Sequence, residues 1–353
     1  MKTHGLQQTR GTYMKRYNNL YEKIYNIENI KLAHKNAKKG KLRYKEVIQI
    51  DKNENKYFSM LQSLLKNRTF ANGKYSIYVK QFYNKERTIY KLPYFPDRII
   101  HHCIVQILEF IWNPLFIRNT FSSLKHRGIH DALHHIRNDI QNELDCIYCL
   151  KFDIKKFYPS VNHDILKSII RKKIKDAQVL WLLDVIIDSA DGLPIGNYLS
   201  QYFGNLYLAY FDHWMKEHQH CKYYYRYCDD IVILSDNKEF LHEVLTAANE
   251  YLLNKLQLHI KENWQIFPIK SRGIDFLGYV IYNKYCLLRK RIKENFKYRL
   301  VDIRINYKHI SNKNLLSSVM SYYGWLKFSN AYNLWNRLIN KDMYAILVTC
   351  GLK

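Results

Sequence analysis

Residues 223–235, YYYRYCDDIVILS, place two adjacent carboxylates inside an otherwise strand-forming sequence. Aromatic and β-branched residues, which favour strands, lie on both sides of the acidic pair. We therefore predict a hairpin whose tight turn lies at or beside Cys228, Asp229 and Asp230. An Asp pair in a turn is common by itself, because Asp side chains hydrogen-bond to turn backbone. Two charges at the tip of so apolar a hairpin nevertheless indicate a functional site.

A third carboxylate, Asp153, stands near the end of residues 147–154, IYCLKFDI, which have the profile of a strand buried on both faces. Carboxylates held side by side repel one another unless cations neutralise them, so such a group favours a divalent metal site. Two Mg²⁺ ions on carboxylate oxygens can activate a primer 3′-hydroxyl and stabilise the leaving pyrophosphate. Asp153, Asp229 and Asp230 together predict polymerase chemistry.

The rest of the pattern alternates helices and strands and predicts an α+β core with helical flanks. We expect a basic helical segment over 17–39, a two-stranded hairpin over 74–92, and a helix over 98–112 that Asp97 caps. Further helices are predicted after Gly128 and over 163–188, 199–215, 238–253 and 291–353. Further strands are predicted at LQLHI, residues 256–260, and around FLGYVIY, residues 276–282, where they complete a sheet.

The chain has 353 residues, of which 47% are hydrophobic and 15% aromatic, and a formal charge of +25. This composition supports a buried core and excludes a disordered chain. The charge favours a polyanionic partner, nucleic acid first and an anionic membrane second, although an AT-rich genome would also enrich Lys. The chain carries no apolar run long enough to span a membrane and no signal peptide. We therefore predict a cytoplasmic protein without a membrane partner.

Seven cysteines at irregular spacing argue against a disulfide framework. Cys146 and Cys149 are the one close pair, and no second pair stands at the distance from it that a zinc site needs. Both lie in an apolar run, where a free cysteine behaves as a small hydrophobic residue. We expect no metal or redox role for this pair.

Four motifs, in chain order, resemble those of the reverse transcriptases. FDIKKFYPS (152–160) resembles the first palm motif of that family, GLPIGNYLSQ (192–201) the second, YCDD (227–230) the YxDD hairpin, and FLGY (276–279) the primer-grip turn. The resemblance extends over most of the chain. It is strongest to small bacterial enzymes of the diversity-generating retroelement type and to the related defence-associated reverse transcriptases.

The resemblance implies a right-hand polymerase fold of the α+β class. The implied domains are an N-terminal helical basic segment (1–72), fingers (73–145), a palm of antiparallel sheet and helices (146–285) and a helical thumb (286–353). Within the palm, residues from about 161 to 190 would form a helical insertion associated with the fingers.

By the same resemblance, Asp153 and Asp229 would bind two Mg²⁺ ions, with Asp230 as a third acid and the carbonyl of Ile154 as a backbone ligand. The ring of Tyr158 would pack under the sugar of the incoming dNTP and exclude a 2′-hydroxyl. Core packing is the alternative role for this ring in a chain with 31 Tyr.

Further residues would contact the nucleotide. Arg87 and Lys91 on the fingers hairpin would bind the triphosphate, and a solvated basic hairpin is the alternative. Lys261 is the nearest candidate to protonate the leaving pyrophosphate, although Trp264 lies where the usual lysine aligns. Gly196 permits a close approach of the backbone to the templating base.

Two positions of the second palm motif depart from the family pattern. Ile195 stands where many reverse transcriptases have a glutamine, and Gln201 where many have a proline. An isoleucine side chain cannot hydrogen-bond near the nascent base pair, which implies relaxed fidelity. The later turn, Phe276, Leu277 and Gly278, would grip the primer.

The resemblance therefore implies an RNA-directed DNA polymerase that copies a dedicated noncoding RNA into cDNA and holds an RNA/DNA hybrid. A diversity-generating retroelement and an antiphage defence system are the two expected settings, with an accessory protein or a homo-oligomer as a further partner. The alternatives are template-independent or repeat DNA synthesis, RNA synthesis, which Tyr158 disfavours, and an idle palm that serves as an RNA-binding scaffold.

Overall fold

The computed structural model describes residues 15–82 and 85–351 of the chain. These residues form fifteen α-helices and nine β-strands, which confirms the predicted α+β class. The helices are α1 (Tyr21–Ile24), α2 (Ile27–Ala37), α3 (Lys45–Lys52), α4 (Glu54–Lys66), α5 (Ile99–Trp112), α6 (Ile129–Asp139), α7 (His163–Arg171), α8 (Ala177–Ile187), α9 (Tyr198–Glu217), α10 (Lys238–Leu256), α11 (Ile269–Arg272), α12 (Lys290–Asn306), α13 (Asn312–Leu326), α14 (Tyr332–Leu338) and α15 (Lys341–Thr349). The strands are β1 (Ser76–Phe82), β2 (Lys85–Lys91), β3 (Tyr148–Asp153), β4 (Tyr223–Tyr227), β5 (Asp230–Ser235), β6 (Gln265–Pro268), β7 (Ile274–Phe276), β8 (Tyr279–Ile281) and β9 (Cys286–Leu288).

The chain divides into two compact units, each built from three separate segments. The first unit comprises the described residues up to Arg118 together with Ile154–Trp214 and Tyr251–His259. The second unit comprises Asn119–Asp153, Met215–Glu250 and the described residues from Ile260 onward.

Helix α5 lies in the core of the first unit. Ten of its fourteen residues are buried, as expected of a helix that is apolar on nearly every face. Helix α2 packs against it and buries Ile30, Ala33 and Ala37, which recur at helical spacing. The side chain of Asn26 accepts the Glu28 amide and starts α2, so the predicted helix over 17–39 is confirmed with one break.

The prediction that Asp97 caps α5 is wrong. A short π-helical turn, Tyr94–Arg98, precedes α5, so Asp97 lies within a helical turn rather than at its start. Its Oδ1 instead accepts the Gly73 amide at 2.8 Å. Burial of this side chain, which is 0% exposed, raises its pKa. Asp97 therefore holds together segments that are distant in sequence.

The predicted helix over 163–188 is two helices, α7 and α8. Asp176 separates them, because its Oδ1 accepts the amides of Gln178 and Val179 and so starts α8. Its Oδ2 accepts the amides of Leu20 and Tyr21. A single buried carboxylate thus both caps a helix and fixes the α1 segment of the same unit.

A four-stranded sheet in the order β4–β5–β3–β6 is the centre of the second unit. All its pairs are antiparallel, and β3 and β5 are apolar on both faces, as predicted for 147–154. The register places Asp153 directly opposite Asp230. The sheet therefore positions the first predicted acid beside the acidic hairpin.

Of the predicted strand at 256–260, only Ile260 takes a β-bridge position. The amides of Gln257 and Leu258 bond back to the carbonyls of Leu253 and Leu252, so they complete the end of α10 rather than a sheet. The strand that pairs with β3 is β6, further along the chain.

Strands β7, β8 and β9 form a separate three-stranded antiparallel sheet. The predicted strand-turn-strand around 276–282 is confirmed, but it does not join the four-stranded sheet. Helices α12–α15 follow, as predicted, and share their own apolar core, which includes Phe296, Leu300 and Ile303 of α12. The seven cysteines are free thiols, and Cys146 and Cys149 are buried in the core beside the four-stranded sheet. No helix in the described ranges is both long and apolar enough to cross a membrane.

Candidate active site

Strands β4 and β5 meet in a two-residue turn made of Cys228 and Asp229, where the sequence predicted it. Tyr227 pairs with Asp230 on either side of the turn. Cys228 has a φ of 54°, a left-handed conformation that costs energy in a residue with a Cβ. Neighbouring residues must therefore hold this turn in place.

Arg226 and Ser122 contact the turn from within the same unit. The guanidinium of Arg226 donates to the Cys228 carbonyl at 3.0 Å, and Arg226 is 0% exposed. The hydroxyl of Ser122 lies 2.7 Å from the Cys228 sulfur. The sequence analysis missed both residues. The one signal was a lone Arg within a tyrosine-rich strand.

Asp153 and Asp229 lie side by side at this turn, and Asp230 follows as the first residue of β5. The carboxyl groups of Asp153 and Asp229 are hydrogen-bonded to one another. Burial, followed by the charge of Asp153, raises the pKa of Asp229 to about 7. Burial raises the pKa of Asp230 to about 6, against the opposing charge of Lys151. The site is therefore poised to bind either protons or cations.

Two lysines approach the acids. Nζ of Lys261 lies 2.5 Å from Oδ1 of Asp153, and the Lys261 amide donates to the Asp153 carbonyl at 2.9 Å. Nζ of Lys151 lies 3.9 Å from Oδ1 of Asp230 and donates to the Asp275 carbonyl. The Oδ1 atom of Asp230 is buried and accepts no hydrogen bond from the described residues.

These acids fit a divalent cation. Two carboxylates in contact, with an unsatisfied carboxylate oxygen nearby, are the hard donors that Mg²⁺ prefers. In the described ranges, only His34, Asp51 and Glu54 bring three ligand atoms of different residues within 4.8 Å of one another. The carboxylate oxygens of Asp153, Asp229 and Asp230 therefore do not all lie within 4.8 Å of one another.

The His34 cluster is better explained as a structural network. Its Nε2 bonds to Asp51 at 2.8 Å and its Nδ1 to the Tyr94 hydroxyl at 3.0 Å, so both ring nitrogens are used. Lys38 pairs with the same Asp51 oxygen at 2.8 Å. The cluster therefore already carries its own cation.

The fingers-hairpin residues and the second palm motif lie together in the first unit. The amide of Tyr90 donates to the Ile195 carbonyl at 2.8 Å. Gly196 has a φ of 120°, and a Cβ there would lie 2.4 Å from the Tyr90 carbonyl. Only glycine fits this approach. Arg87 and Lys91 are exposed on β2.

The first unit contains a cavity of about 500 Å³. Two of the predicted nucleotide-binding residues, Lys91 and Gly196, line it. Its other cations are Lys41, Lys45 and Arg98. Burial lowers the pKa of Arg98, so this guanidinium sits in a partly desolvated wall. The aromatic residues of the lining are Tyr44, Tyr78, Tyr90, Tyr94 and Tyr198. Cations interleaved with aromatic rings are typical of sites that bind single-stranded nucleic acid.

Tyr158 also belongs to the first unit. Its hydroxyl donates to Oε1 of Gln201 at 3.1 Å, and its side chain is partly buried. Ile154, which follows Asp153 in the chain, is fully buried.

The predicted primer grip forms the turn between β7 and β8. Leu277 and Gly278 have left-handed φ values of 52° and 89°. The carbonyl of Gly278 accepts the Arg289 amide at 2.9 Å, and Phe276 is fully buried. Arg289 also bonds through Nε to Asp275 at 2.6 Å, which fixes the start of α12 to this turn.

Comparison with known proteins agrees with these motifs. Residues 77–281, more than half of the chain, match the family model described as reverse transcriptase (RNA-dependent DNA polymerase). Protein YkfC of Escherichia coli K12 is 21% identical in an alignment 253 residues long that covers 59% of this chain and 66% of YkfC. The group II intron-encoded protein LtrA of Lactococcus lactis subsp. cremoris is 25% identical in an alignment 170 residues long that covers 45% of this chain and 28% of LtrA.

The chain therefore spans less than two thirds of either relative. Among solved structures, apo telomerase from Candida tropicalis aligns with a TM-score of 0.50 at 15% identity, over 80% of this chain and 60% of that one. This likeness concerns the fold. The family match and the order of the motifs lead to one conclusion: the chain belongs to the reverse transcriptase family.

Proposed function

We propose that this protein is an RNA-directed DNA polymerase that makes cDNA from a dedicated RNA template by two-metal phosphoryl transfer. The observation that carries the proposal is the contact between Asp153 and Asp229, with the raised pKa of Asp229. Two carboxylates that repel one another lower the stability of the fold, so a scaffold has no use for them. An enzyme can use the pair to bind cations.

Asp153 and Asp229 would hold Mg²⁺, with Asp230 and the Ile154 carbonyl as further ligands. When bound, two Mg²⁺ ions supply charge stabilisation to the phosphoryl transfer and activate the primer 3′-hydroxyl. The carboxylates would have to exchange their shared proton for the ions. Lys261, now paired with Asp153 at 2.5 Å, would then be released to donate a proton toward the leaving pyrophosphate.

The remaining site residues bind and orient the substrates. Arg87 and Lys91 would bind the dNTP triphosphate, and Gly196 with Ile195 would contact the nascent base pair. Tyr158 would exclude a ribose 2′-hydroxyl. The turn of Phe276, Leu277 and Gly278 would hold the primer end, because its backbone is fixed by the bond to Arg289.

We assign the RNA template to the cationic and aromatic cavity of the first unit. Lys41, Lys45 and Arg98 would neutralise the template phosphates, and the tyrosines would stack with bases. We retain the proposed domains, with the N-terminal segment at 1–72, fingers at 73–145, palm at 146–285 and thumb at 286–353. Seven free cysteines support a cytoplasmic location.

The test is Mg²⁺-dependent extension of a DNA primer on an RNA template by the purified protein, compared with Asp153→Asn and Asp229→Asn. Each substitution keeps the side-chain shape and removes the charge, so we expect a loss of activity of about a hundredfold or more. Asp191→Asn, on an exposed loop, is the matched control. Extension that survives both substitutions would contradict the proposal.

Two biological settings remain proposals. Ile195 lacks an amide at the nascent pair, which favours error-prone copying in a diversity-generating retroelement, with an accessory protein as partner. An antiphage defence system, with repeat or template-independent synthesis by an oligomer, is the other. Sequencing the products separates the two settings. Products of the same length as the template that carry misincorporated bases support the first, and homopolymers or repeats support the second.

A second candidate function is an RNA-binding scaffold without catalysis. It is favoured by relatives named as intron-encoded proteins and intron maturases, such as nuclear intron maturase 4 of Arabidopsis thaliana, 27% identical over 155 residues. On this alternative, Asp229→Asn would leave every function of the protein intact. Any Mg²⁺-dependent DNA synthesis that the substitution abolishes would exclude it.

A further inference from the structure

We propose that Gln201 is a positioning residue that holds the ring of Tyr158 and so sets the preference of the enzyme for dNTPs over ribonucleotides. The inference rests on the proposed function and deepens it. Tyr158 is the proposed steric barrier to the 2′-hydroxyl, and Gln201 would decide where that barrier stands.

The contact is a hydrogen bond between two elements of the first unit. Tyr158 begins a short 3-10 turn, Tyr158–Ser160, and its hydroxyl donates to Oε1 of Gln201 at 3.1 Å. Gln201 lies in the first turn of α9. The tip of the ring is thereby tied to a helix rather than to another loop.

The base of the ring is fixed by separate contacts. The Tyr158 carbonyl accepts the Leu193 amide at 2.8 Å. A Cβ at Gly192 would lie 2.6 Å from that same carbonyl, so the loop packs closely against it. The ring of Phe157 meets the Tyr158 ring edge-on at 5.3 Å. With the backbone held, the hydrogen bond at the hydroxyl restricts the orientation of the ring.

Helix α9 is shaped to receive this ring. Gly204 lies one turn after Gln201, and a Cβ there would come within 3.2 Å of Phe157 and 3.7 Å of Tyr158. A Cβ there would press on the Phe157 ring and stand in ordinary contact with the Tyr158 ring. Gln201 and Gly204 therefore form one face of α9 that sets the position of Tyr158.

A steric barrier discriminates only if its position is defined. A 2′-hydroxyl is a small group, and a ring that can rotate away makes room for it. Removing the acceptor at Gln201 takes away this hydrogen bond at the tip of the ring, and the expected result is easier entry of ribonucleotides with little change in dNTP use. A residue that served packing alone would change both substrates equally.

The experiment measures kcat/KM for dATP and for ATP on one primed RNA template. Gln201→Met keeps the length and helix propensity of the side chain and removes the acceptor. We expect the ratio of dATP to ATP to fall about fivefold, the value of one hydrogen bond between neutral groups. Tyr158→Phe, which removes the donor, should lower the ratio similarly, and the double variant should be no lower than either single variant.

Gln201→Glu keeps an acceptor for the Tyr158 hydroxyl and should retain the native ratio even if its charge slows both nucleotides. An unchanged ratio in Gln201→Met, or effects that multiply in the double variant, would overturn the inference. Failure of Gln201→Met to fold leaves Tyr158→Phe, whose native ratio would overturn it equally. If the unsubstituted protein makes no DNA, the proposed function itself fails, and the two outcomes are therefore distinguishable.

Discussion

At the scale of single residues, Asp229 shows how a cation site is built into an apolar hairpin. Its pKa is raised from 3.8 to about 7 by burial and by the neighbouring Asp153. The folded state therefore holds a proton that the unfolded chain releases. The resulting stability is fully present below about pH 4 and is lost as the pH rises through 7.

We predict that Asp229→Asn raises the melting temperature of the metal-free protein. Asparagine is neutral at every pH, so the variant escapes the cost of burying a charge beside Asp153. In EDTA the difference from the native protein should be about 2 °C or more at pH 8 and smaller at pH 5. Asp191→Asn should show no such trend, and an equal shift of Asp229→Asn at both pH values would contradict this account.

The sequence predicted that Asp153 would lie near the hairpin of Asp229 and Asp230, because each acid lies in a strand pattern that local residue preferences reveal. It did not predict the roles of Ser122 and Arg226. Ser122 contacts Cys228 across more than a hundred residues of sequence, and the contact of Arg226 depends on its burial. The same limit explains the error at Asp97, whose carboxylate accepts the distant Gly73 amide.

At the scale of elements, the turn between β7 and β8 depends on backbone that only glycine tolerates. A Cβ at Gly278 would lie 2.7 Å from the Trp325 ring and 2.8 Å from Ile292. Its φ of 89° is also unfavourable for other residues. The proposed primer grip is thus fixed from both the sheet and the helices that follow it.

We predict that Gly278→Ala destabilises the protein by about 2 kcal/mol or more and slows extension of a primer. Gly324→Ala is the matched control, because that glycine lies within α13 and its Cβ would meet no atom within 4 Å. It should be neutral or stabilising by about 1 kcal/mol. Thermal unfolding of both variants makes the comparison, and equal stability of the two would contradict the steric argument.

The elements themselves were largely predictable. Alternation of apolar residues predicted the hairpin β1–β2, strand-forming residues predicted the acidic hairpin, and a continuous apolar run predicted β3. Helical spacing predicted α2, α9 and α10. The strand expected at 256–260 failed because its amides return to the carbonyls of α10, an ending that apolar content does not reveal. Strand pairing was also not predictable from local sequence, because β7–β9 form their own sheet and do not complete the four-stranded one.

At the scale of the whole molecule, a net charge of +25 predicts affinity for any polyanion, and local arrangement must supply the selectivity. The cavity of the first unit gathers Lys41, Lys45, Lys91 and Arg98 among tyrosines. These cations are therefore expected to contribute more to RNA binding than lysines elsewhere on the surface.

We predict that Lys41→Gln and Lys45→Gln weaken binding of single-stranded RNA and each lower the slope of log affinity against log salt by about 0.7. Lys255→Gln, at an exposed position near the end of α10, removes the same charge outside the cavity. Fluorescence anisotropy over a salt series measures all three. An equal effect of Lys255→Gln would show that binding follows net charge rather than the cavity.

The measurement that tests the central claim most directly is addition of a single nucleotide to a primer on four RNA templates that differ in one templating base. We predict Mg²⁺-dependent addition that follows the template, abolished in Asp229→Asn while binding of the primed RNA is retained. Addition that ignores the template, or primed RNA bound by both proteins without any addition, would contradict an RNA-directed polymerase.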